Sequence, residues 1–107
     1  QIMKNEGIIG AVEQNPKRIE ALKSNLERMG AEYTIVCRTD SKNLQSSAQR
    51  FDKILLAAPC SGNYVTDSYW FKKRDIDGIK KSAEIQKQLL KAAINLLKKD
   101  GTLVYST

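Results

Sequence analysis

The stretch ILLAAPCSG, residues 54–62, decides how the rest of the chain is interpreted. Its first five residues are apolar, which is typical of a strand covered on both faces inside an α/β sheet. Pro59 has no backbone N–H group and therefore ends the run. We predict a strand over residues 51–58, followed by a corner that carries the thiol of Cys60.

Strands and helices alternate on both sides of this stretch. Asn15 and Pro16 form a good helix start, and Ser82 is the predicted cap of a later helix. In chain order we predict a strand over 7–12, a helix over 16–29, strands over 33–38 and 51–58, a helix over 82–99 and a strand over 102–105. The polar residues after 40 allow one helical turn, and residues 61–81 form a long connection. This order is typical of an α/β sheet with helices on its faces.

Composition indicates one soluble globular domain, because 41% of the 107 residues are hydrophobic and 28% are charged. The two cysteines, Cys37 and Cys60, lie 23 positions apart in a chain without histidine. We therefore expect neither a zinc site nor a disulfide framework. No apolar run approaches the ~18 residues of a membrane span. We expect a cytoplasmic protein without a metal or a membrane partner, and the oligomeric state stays open.

Positive charge is concentrated in the last third of the chain. The net charge is +6, and residues 71–100 hold nine basic against four acidic side chains, which is +5. A polyanion is the natural partner of such a surface, and a merely solvated lysine-rich face is the alternative. The aromatic and basic residues from Tyr64 to Arg74 would lie beside that polyanion, or the aromatic side chains would pack the loop onto the sheet.

Two carboxylates follow predicted strands, where open α/β sheets bind their ligands. Glu13 follows the first strand, and a carboxylate there can accept both hydroxyls of a ribose. Asp40 follows the second strand and can accept the amino group of an adenine. The alternatives are a solvated or helix-capping Glu13 and a turn-forming Asp40. On these two residues alone, the structural alternatives are favoured.

Three segments resemble the Nop/Sun family of RNA (cytosine-5) methyltransferases. Residues 54–62 are similar to that family's strand followed by DAPCSG. Residues 86–107 (QKQLLKAAINLLKKDGTLVYST) are similar to its next helix and strand, which normally continue into Cys-Ser. Glu13 and residues 18–30 are similar to its ribose-binding acid and the following helix. The segments cover almost the whole chain in the order of the family.

The resemblance implies an α/β, Rossmann-like class I methyltransferase fold. It also implies methyl transfer from S-adenosylmethionine to C5 of a cytosine in tRNA or rRNA. Glu13 would bind the ribose of S-adenosylmethionine, and Asp40 would lie beside its adenine. Cys60 matches the cysteine that assists release of the methylated product. In the family, the cysteine that attacks C6 of the base follows the YST strand.

Three departures from the family pattern affect what this chain can do. The first strand with its glycine-rich cofactor loop would precede Gln1, and the attacking cysteine and later strands would follow Thr107. Ala57 occupies the position of the family's Asp, which contacts the cofactor and the target base. We therefore expect residues 1–107 to be one partial catalytic domain, which alone binds the cofactor weakly and transfers no methyl group. A non-catalytic RNA-binding relative is the alternative.

The family pattern also predicts which strands are neighbours. The strands that precede Glu13 and Asp40 should pair in parallel, and so should the strands that end at Ala58 and Thr107. An antiparallel meander would contradict the predicted fold.

Overall fold

The computed structural model describes residues 3–4, 6–46, 51–60, 62, 69–70 and 75–107. The elements in chain order are β1 (Ile9–Glu13), α1 (Pro16–Arg28), β2 (Thr34–Arg38), a 3₁₀ helix (Ser41–Ser46), β3 (Phe51–Ala57), α2 (Ile76–Leu96) and β4 (Leu97–Ser106). The chain divides into two compact units, Gln1–Asn43 and Leu44–Thr107. Each unit contains one pair of parallel strands.

The first unit pairs β1 with β2 and packs α1 against them. As predicted, α1 begins with Pro16 and is capped by Asn15, whose side chain accepts a hydrogen bond from the Lys17 N–H at 2.9 Å. Ile19 is its buried residue. The register places Glu13 opposite Arg38, so the carboxyl ends of both strands lie at the same edge.

The second unit pairs β3 with β4, and α2 packs against both strands. Ala57 lies opposite Ser106, and the pairing continues through a hydrogen bond of 2.9 Å from the Ala58 N–H to the Ser106 carbonyl. The buried residues of α2 are Ala92, Ala93 and Leu96. Two of the three are small, which allows the helix backbone to approach the sheet closely. The predicted parallel pairing is therefore confirmed in both units.

Gly101 lies near the start of β4, where the register against β3 shifts between Phe51 and Lys53. A Cβ atom there would stand 2.8 Å from Cγ of Leu97 and 3.0 Å from the Asp52 carbonyl oxygen, which only glycine avoids. The Lys98 ammonium donates to the Asp52 carboxylate at 2.8 Å at the same end of the pair. This hydrogen bond lowers the pKa of Asp52.

The second helix differs from the prediction at both ends. It begins at Ile76 rather than after Ser82, because the Asp75 side chain accepts a hydrogen bond from the Gly78 N–H at 2.6 Å and caps it earlier. Gly78 has low helix propensity and conceals this start in the sequence. The helix ends at Leu96 rather than at residue 99, because β4 already begins at Leu97.

The prediction that the first and third strands are covered on both faces is wrong for the described residues. Leu55 at the centre of β3 is 73% exposed, and Ile9 on β1 is 39% exposed. Successive strand side chains point to opposite faces, and each pair is covered by its helix on one face only. The first strand also begins later than predicted, at Ile9, because Gly7 has a left-handed backbone with φ of 87°.

The contact between α2 and its sheet can be tested with two neighbouring helix residues. Leu96 is 6% exposed, whereas Ile94 is 56% exposed. We expect Leu96→Ala to lower the free energy of unfolding by about 2–5 kcal/mol, because it leaves a cavity against the strands. Ile94→Ala should change it by about 0.5 kcal/mol or less. Denaturant unfolding checks both values, and equal losses would contradict the packing described for α2.

Candidate active site

Glu13 is the last residue of β1, and its side chain is 23% exposed. One carboxylate oxygen accepts a hydrogen bond of 2.8 Å from the Asn15 N–H, next to the start of α1. The other oxygen lies 4.0 Å from the guanidinium group of Arg18, which is largely exposed. Glu13 therefore has the local capping contact considered as an alternative, while its second oxygen faces the exposed Arg18 guanidinium at a distance of 4.0 Å.

Asp40 follows β2 at the start of the 3₁₀ helix and is half-buried. One carboxylate oxygen accepts a hydrogen bond of 3.0 Å from the Lys42 N–H. The other lies 3.3 Å from the Lys42 ammonium group. The backbone hydrogen bond, assisted by this ammonium, lowers the pKa of Asp40 against a smaller opposing effect of burial. Asp40 is thus ionised at neutral pH. It also forms a local turn, as expected if it were a turn-forming aspartate.

The two carboxylates lie at one edge of the first unit. Because β1 and β2 are parallel, Glu13 ends its strand where Arg38 ends the neighbouring one, and Asp40 follows two residues later. Both groups are hydrogen-bond acceptors, and each retains lone pairs beyond those used locally. Ribose hydroxyls and an adenine amino group are donors. This donor–acceptor match fits the adenosine part of S-adenosylmethionine.

Ala57 and Cys60 belong to the second unit. Ala57 ends β3 with an exposed side chain, and the buried Ala58 follows it. Cys60 is a free, exposed cysteine, and its Sγ accepts a hydrogen bond of 3.4 Å from the Gly62 N–H. The corner therefore presents an accessible thiol just past the end of a strand.

Gly62 lies next to the aromatic ring of Trp70 at this corner. Its φ of 97° is in the region that L side chains rarely adopt, and a Cβ atom would lie 3.2 Å from Cδ1 of Trp70. Contact with Trp70 favours the packing alternative for this one aromatic residue. Tyr64, Phe71 and the basic residues 72–74, also predicted as neighbours of RNA, lie outside the described residues.

One residue of this region has a role that sequence reasoning did not assign. Gln86 of α2 donates hydrogen bonds to the Pro59 carbonyl and the Thr107 hydroxyl, at 2.7 and 3.0 Å. The sequence contained it only as the first residue of the helix segment that resembles the family. A glutamine on a helix carries no periodic signal, so its two distant partners were not predictable.

Metal-binding clusters and membrane-spanning helices are both absent from the described ranges. No three histidine, cysteine, aspartate or glutamate side chains among those residues are grouped so as to hold a metal ion. Neither described helix combines the length and the apolar character needed to cross a membrane.

Parallel strand pairs joined by helices, with acidic residues at the strand ends, define an incomplete Rossmann-like fold of the S-adenosylmethionine-dependent methyltransferase class. A solved structure of NSun6 from Pyrococcus horikoshii with SFG has this fold, with a TM-score of 0.85 and 30% sequence identity. The match covers 98% of this chain and 27% of that chain.

The family is shown by the sequence match. Residues 1–107 match the family described as 16S rRNA methyltransferase RsmB/F, and the chain belongs to it. The chain is 33% identical over 107 residues to the tRNA (cytosine(72)-C(5))-methyltransferase of Pyrococcus horikoshii, covering 100% of this chain and 27% of the relative. It is 37% identical over 113 residues to the 28S rRNA (cytosine-C(5))-methyltransferase of Mus musculus, covering 100% and 14%.

These matches confirm the resemblance to RNA cytosine-5 methyltransferases. The chain spans about a quarter or less of the length of the two relatives, at 27% and 14%. Membership of a methyltransferase family, with a relative solved with SFG, implies a cofactor of the S-adenosylmethionine type. The individual roles of Glu13, Asp40, Ala57 and Cys60 stay predictions.

The lowered pKa of Asp40 has a consequence that can be measured. Its ionised form is favoured in the folded state, so the stability that it contributes is fully present above the unfolded pKa of about 3.9. This contribution is lost as the pH falls through the lower, folded pKa. We expect an NMR titration to place the Asp40 midpoint below that of an ordinary aspartate, and Asp40→Asn to weaken the pH dependence of stability in that window.

A second variant separates the causes of the shift. Lys42→Met removes the ammonium group but keeps the backbone N–H that is its largest cause. Most of the lowering should therefore persist in Lys42→Met. A return of Asp40 to the ordinary pKa in this variant would show that the side-chain pair, and not the turn, controls the carboxylate.

Proposed function

We propose that the full-length protein transfers a methyl group from S-adenosylmethionine to C5 of a cytosine in tRNA or rRNA. The observation that carries this proposal is the parallel pairing of β3 and β4 in a chain of this family. It puts the Cys60 corner and the end of the YST strand at one edge, with Ala57 opposite Ser106. Relatives named for tRNA and rRNA cytosine methylation support the substrate class.

Glu13 and Asp40 are the proposed contacts to the adenosine part of the cofactor. Glu13 would accept the ribose hydroxyls through the oxygen that faces Arg18, which can move away because it is exposed and 4.0 Å distant. Asp40 would accept the adenine amino group with its ionised carboxylate. When bound, S-adenosylmethionine supplies an electrophilic methyl group. The two carboxylates would hold and orient the cofactor and take no part in the chemistry.

Cys60 is the proposed residue for product release. Carbon C5 of cytosine is too unreactive to take a methyl group until a thiolate adds to C6. In this family that thiolate belongs to the cysteine after the YST strand. The adduct must later lose the C5 proton and break the sulfur–C6 bond, and Cys60 would assist this breakdown. Its exposure and the Gly62 N–H directed at its sulfur support the assignment.

RNA is the proposed macromolecular partner. The exposed lysines of α2 support it through their charge, and one of them, Lys87, is paired with Glu84 at 3.6 Å. Electrostatic attraction to phosphates requires no more than such an accessible basic surface. The cytoplasm stays the predicted compartment, and the two free cysteines, Cys37 and Cys60, support a reducing setting.

A second function is favoured by one residue. Ala57 stands where the family has Asp, so this protein lacks a carboxylate at the end of β3. A relative that binds RNA without methylating it would need no acid there. The two functions differ in whether 5-methylcytosine is formed, and the variants described next distinguish them.

Glu13 can be tested without disturbing the start of α1. Glu13→Gln keeps an oxygen for the Asn15 N–H but removes the charge and one ribose acceptor. Hydrogen bonds to charged groups contribute about 1.5–3 kcal/mol, so the KM for S-adenosylmethionine should rise roughly 10- to 100-fold. The assay is transfer of a labelled methyl group to a tRNA or rRNA transcript by the full-length protein, with 5-methylcytosine identified by mass spectrometry.

The matched control is Glu20→Gln, since Glu20 is an exposed residue of α1 that pairs with Lys23 at 3.3 Å. Its KM should stay unchanged. If both variants behave alike, Glu13 is not the ribose contact. A label that appears at any position other than cytosine C5 would disprove the proposed reaction.

Ala57→Asp should raise the rate of methyl transfer. An acid at this exposed strand end could hydrogen-bond a protonated cytosine N3 during thiolate addition, an effect worth roughly 10²- to 10⁴-fold. Ala57→Asn is the control, because its amide has the same shape without charge or acid–base capacity. We expect a gain of at least about 10²-fold for Asp only, with RNA affinity unchanged in both. Equal rates for alanine and aspartate would show that position 57 has no such role.

A further inference from the structure

Gln86 connects the carboxyl ends of two strands that are far apart in sequence. Its side-chain amide donates to the Pro59 carbonyl at 2.7 Å and to the Thr107 hydroxyl at 3.0 Å. These partners lie 27 and 21 positions away. Gln86 is half-buried on α2, the helix that packs against β3 and β4. The contact is therefore tertiary and joins three elements of the second unit.

The hydrogen bonds of the Gln86 amide lie just beyond the last backbone hydrogen bond between β3 and β4. Among the described residues, the last backbone hydrogen bond of the pair runs from the Ala58 N–H to the Ser106 carbonyl. Beyond this hydrogen bond the chain continues by one residue on each side, from Ala58 to Pro59 and from Ser106 to Thr107. A carboxamide NH₂ has two protons and can donate to both groups at once. Gln86 thus extends the cross-strand connection past the end of the sheet.

The two groups held by Gln86 are next to the proposed reacting positions. Pro59 directly precedes Cys60, and Thr107 precedes the position that the family fills with the attacking cysteine. We propose that Gln86 is a positioning residue, which sets the separation of these two strand ends and hence the placement of Cys60 and of the residue after Thr107 around the target base. The catalytic consequence rests on the proposed function. The pair of hydrogen bonds from Gln86 to Pro59 and Thr107, called the clamp below, does not depend on that function.

A positioning role predicts a particular kinetic effect. Misplacement of reacting groups by about 1 Å costs up to 10²-fold in rate without changing how substrate is bound elsewhere. Gln86→Met keeps the length of the side chain and removes both donors. We expect kcat to fall roughly 10- to 100-fold, with the KM for RNA and for S-adenosylmethionine unchanged.

Thr107 provides the matching variants on the other side of the contact. Thr107→Val removes the hydroxyl acceptor at nearly constant shape, whereas Thr107→Ser retains it. Thr107→Val should lower kcat, Thr107→Ser should preserve it, and the double variant Gln86→Met/Thr107→Val should be little worse than Gln86→Met alone. Gln88→Met, an exposed neighbour on the same helix, should have no effect.

A second measurement does not require activity. Hydrogen–deuterium exchange of the full-length protein should show that Gln86→Met increases exchange at the strand ends, in peptides that contain Ala58 and Thr107, on the order of tenfold. The centre of β3 should exchange as in the unchanged protein. Faster exchange throughout the unit, with a matching fall in thermal midpoint, would instead indicate a general structural role and overturn the proposal.

The outcomes separate this proposal from the proposed function. If the unchanged protein and Ala57→Asp both form no 5-methylcytosine, the proposed function fails, and the exchange experiment alone decides whether the clamp exists. Unchanged exchange at the strand ends in Gln86→Met overturns the clamp in either case. If methylation occurs and kcat is unaffected by Gln86→Met and Thr107→Val, the positioning role is wrong.

Discussion

Parallel strand pairing is the constraint on which the candidate site depends. Two parallel strands run in one direction, so their carboxyl ends meet at one edge, whereas antiparallel partners end at opposite edges. In the first unit this brings Glu13 to the end that leads to Asp40, and in the second it places Ala57 opposite Ser106. Glu13, Asp40, Ala57 and Cys60 all lie at or just beyond these ends.

Parallel pairs require a connecting segment that returns the chain to its starting edge, and here α1 and α2 are those segments. Each helix also covers one face of its own pair. The small Ala92 and Ala93 bring α2 close to its strands, and this proximity allows Gln86 to reach both strand ends. The packing that stabilises the second unit and the contact that organises its proposed reacting end thus depend on the same helix.

Local hydrogen bonds and ligand binding are not exclusive roles for a carboxylate. Glu13 and Asp40 by themselves favoured structural interpretations, and the family resemblance implied cofactor binding. The structure shows a local backbone hydrogen bond to each. A carboxylate has two oxygens and about four acceptor positions, so such a bond leaves capacity for a ligand. The local bonds also hold the carboxylates in defined positions before any ligand binds.

The sequence by itself determined the order of elements, the start of α1 at Asn15 and Pro16, and the family resemblance, because these depend on neighbouring residues. It misplaced the start of α2, since Gly78 obscures the cap made by Asp75. It also overestimated the burial of Leu55, because an apolar run does not reveal what covers each face. Only the tertiary structure decided the register of the strands and the role of Gln86. Those features join residues more than 20 positions apart, which no local pattern encodes.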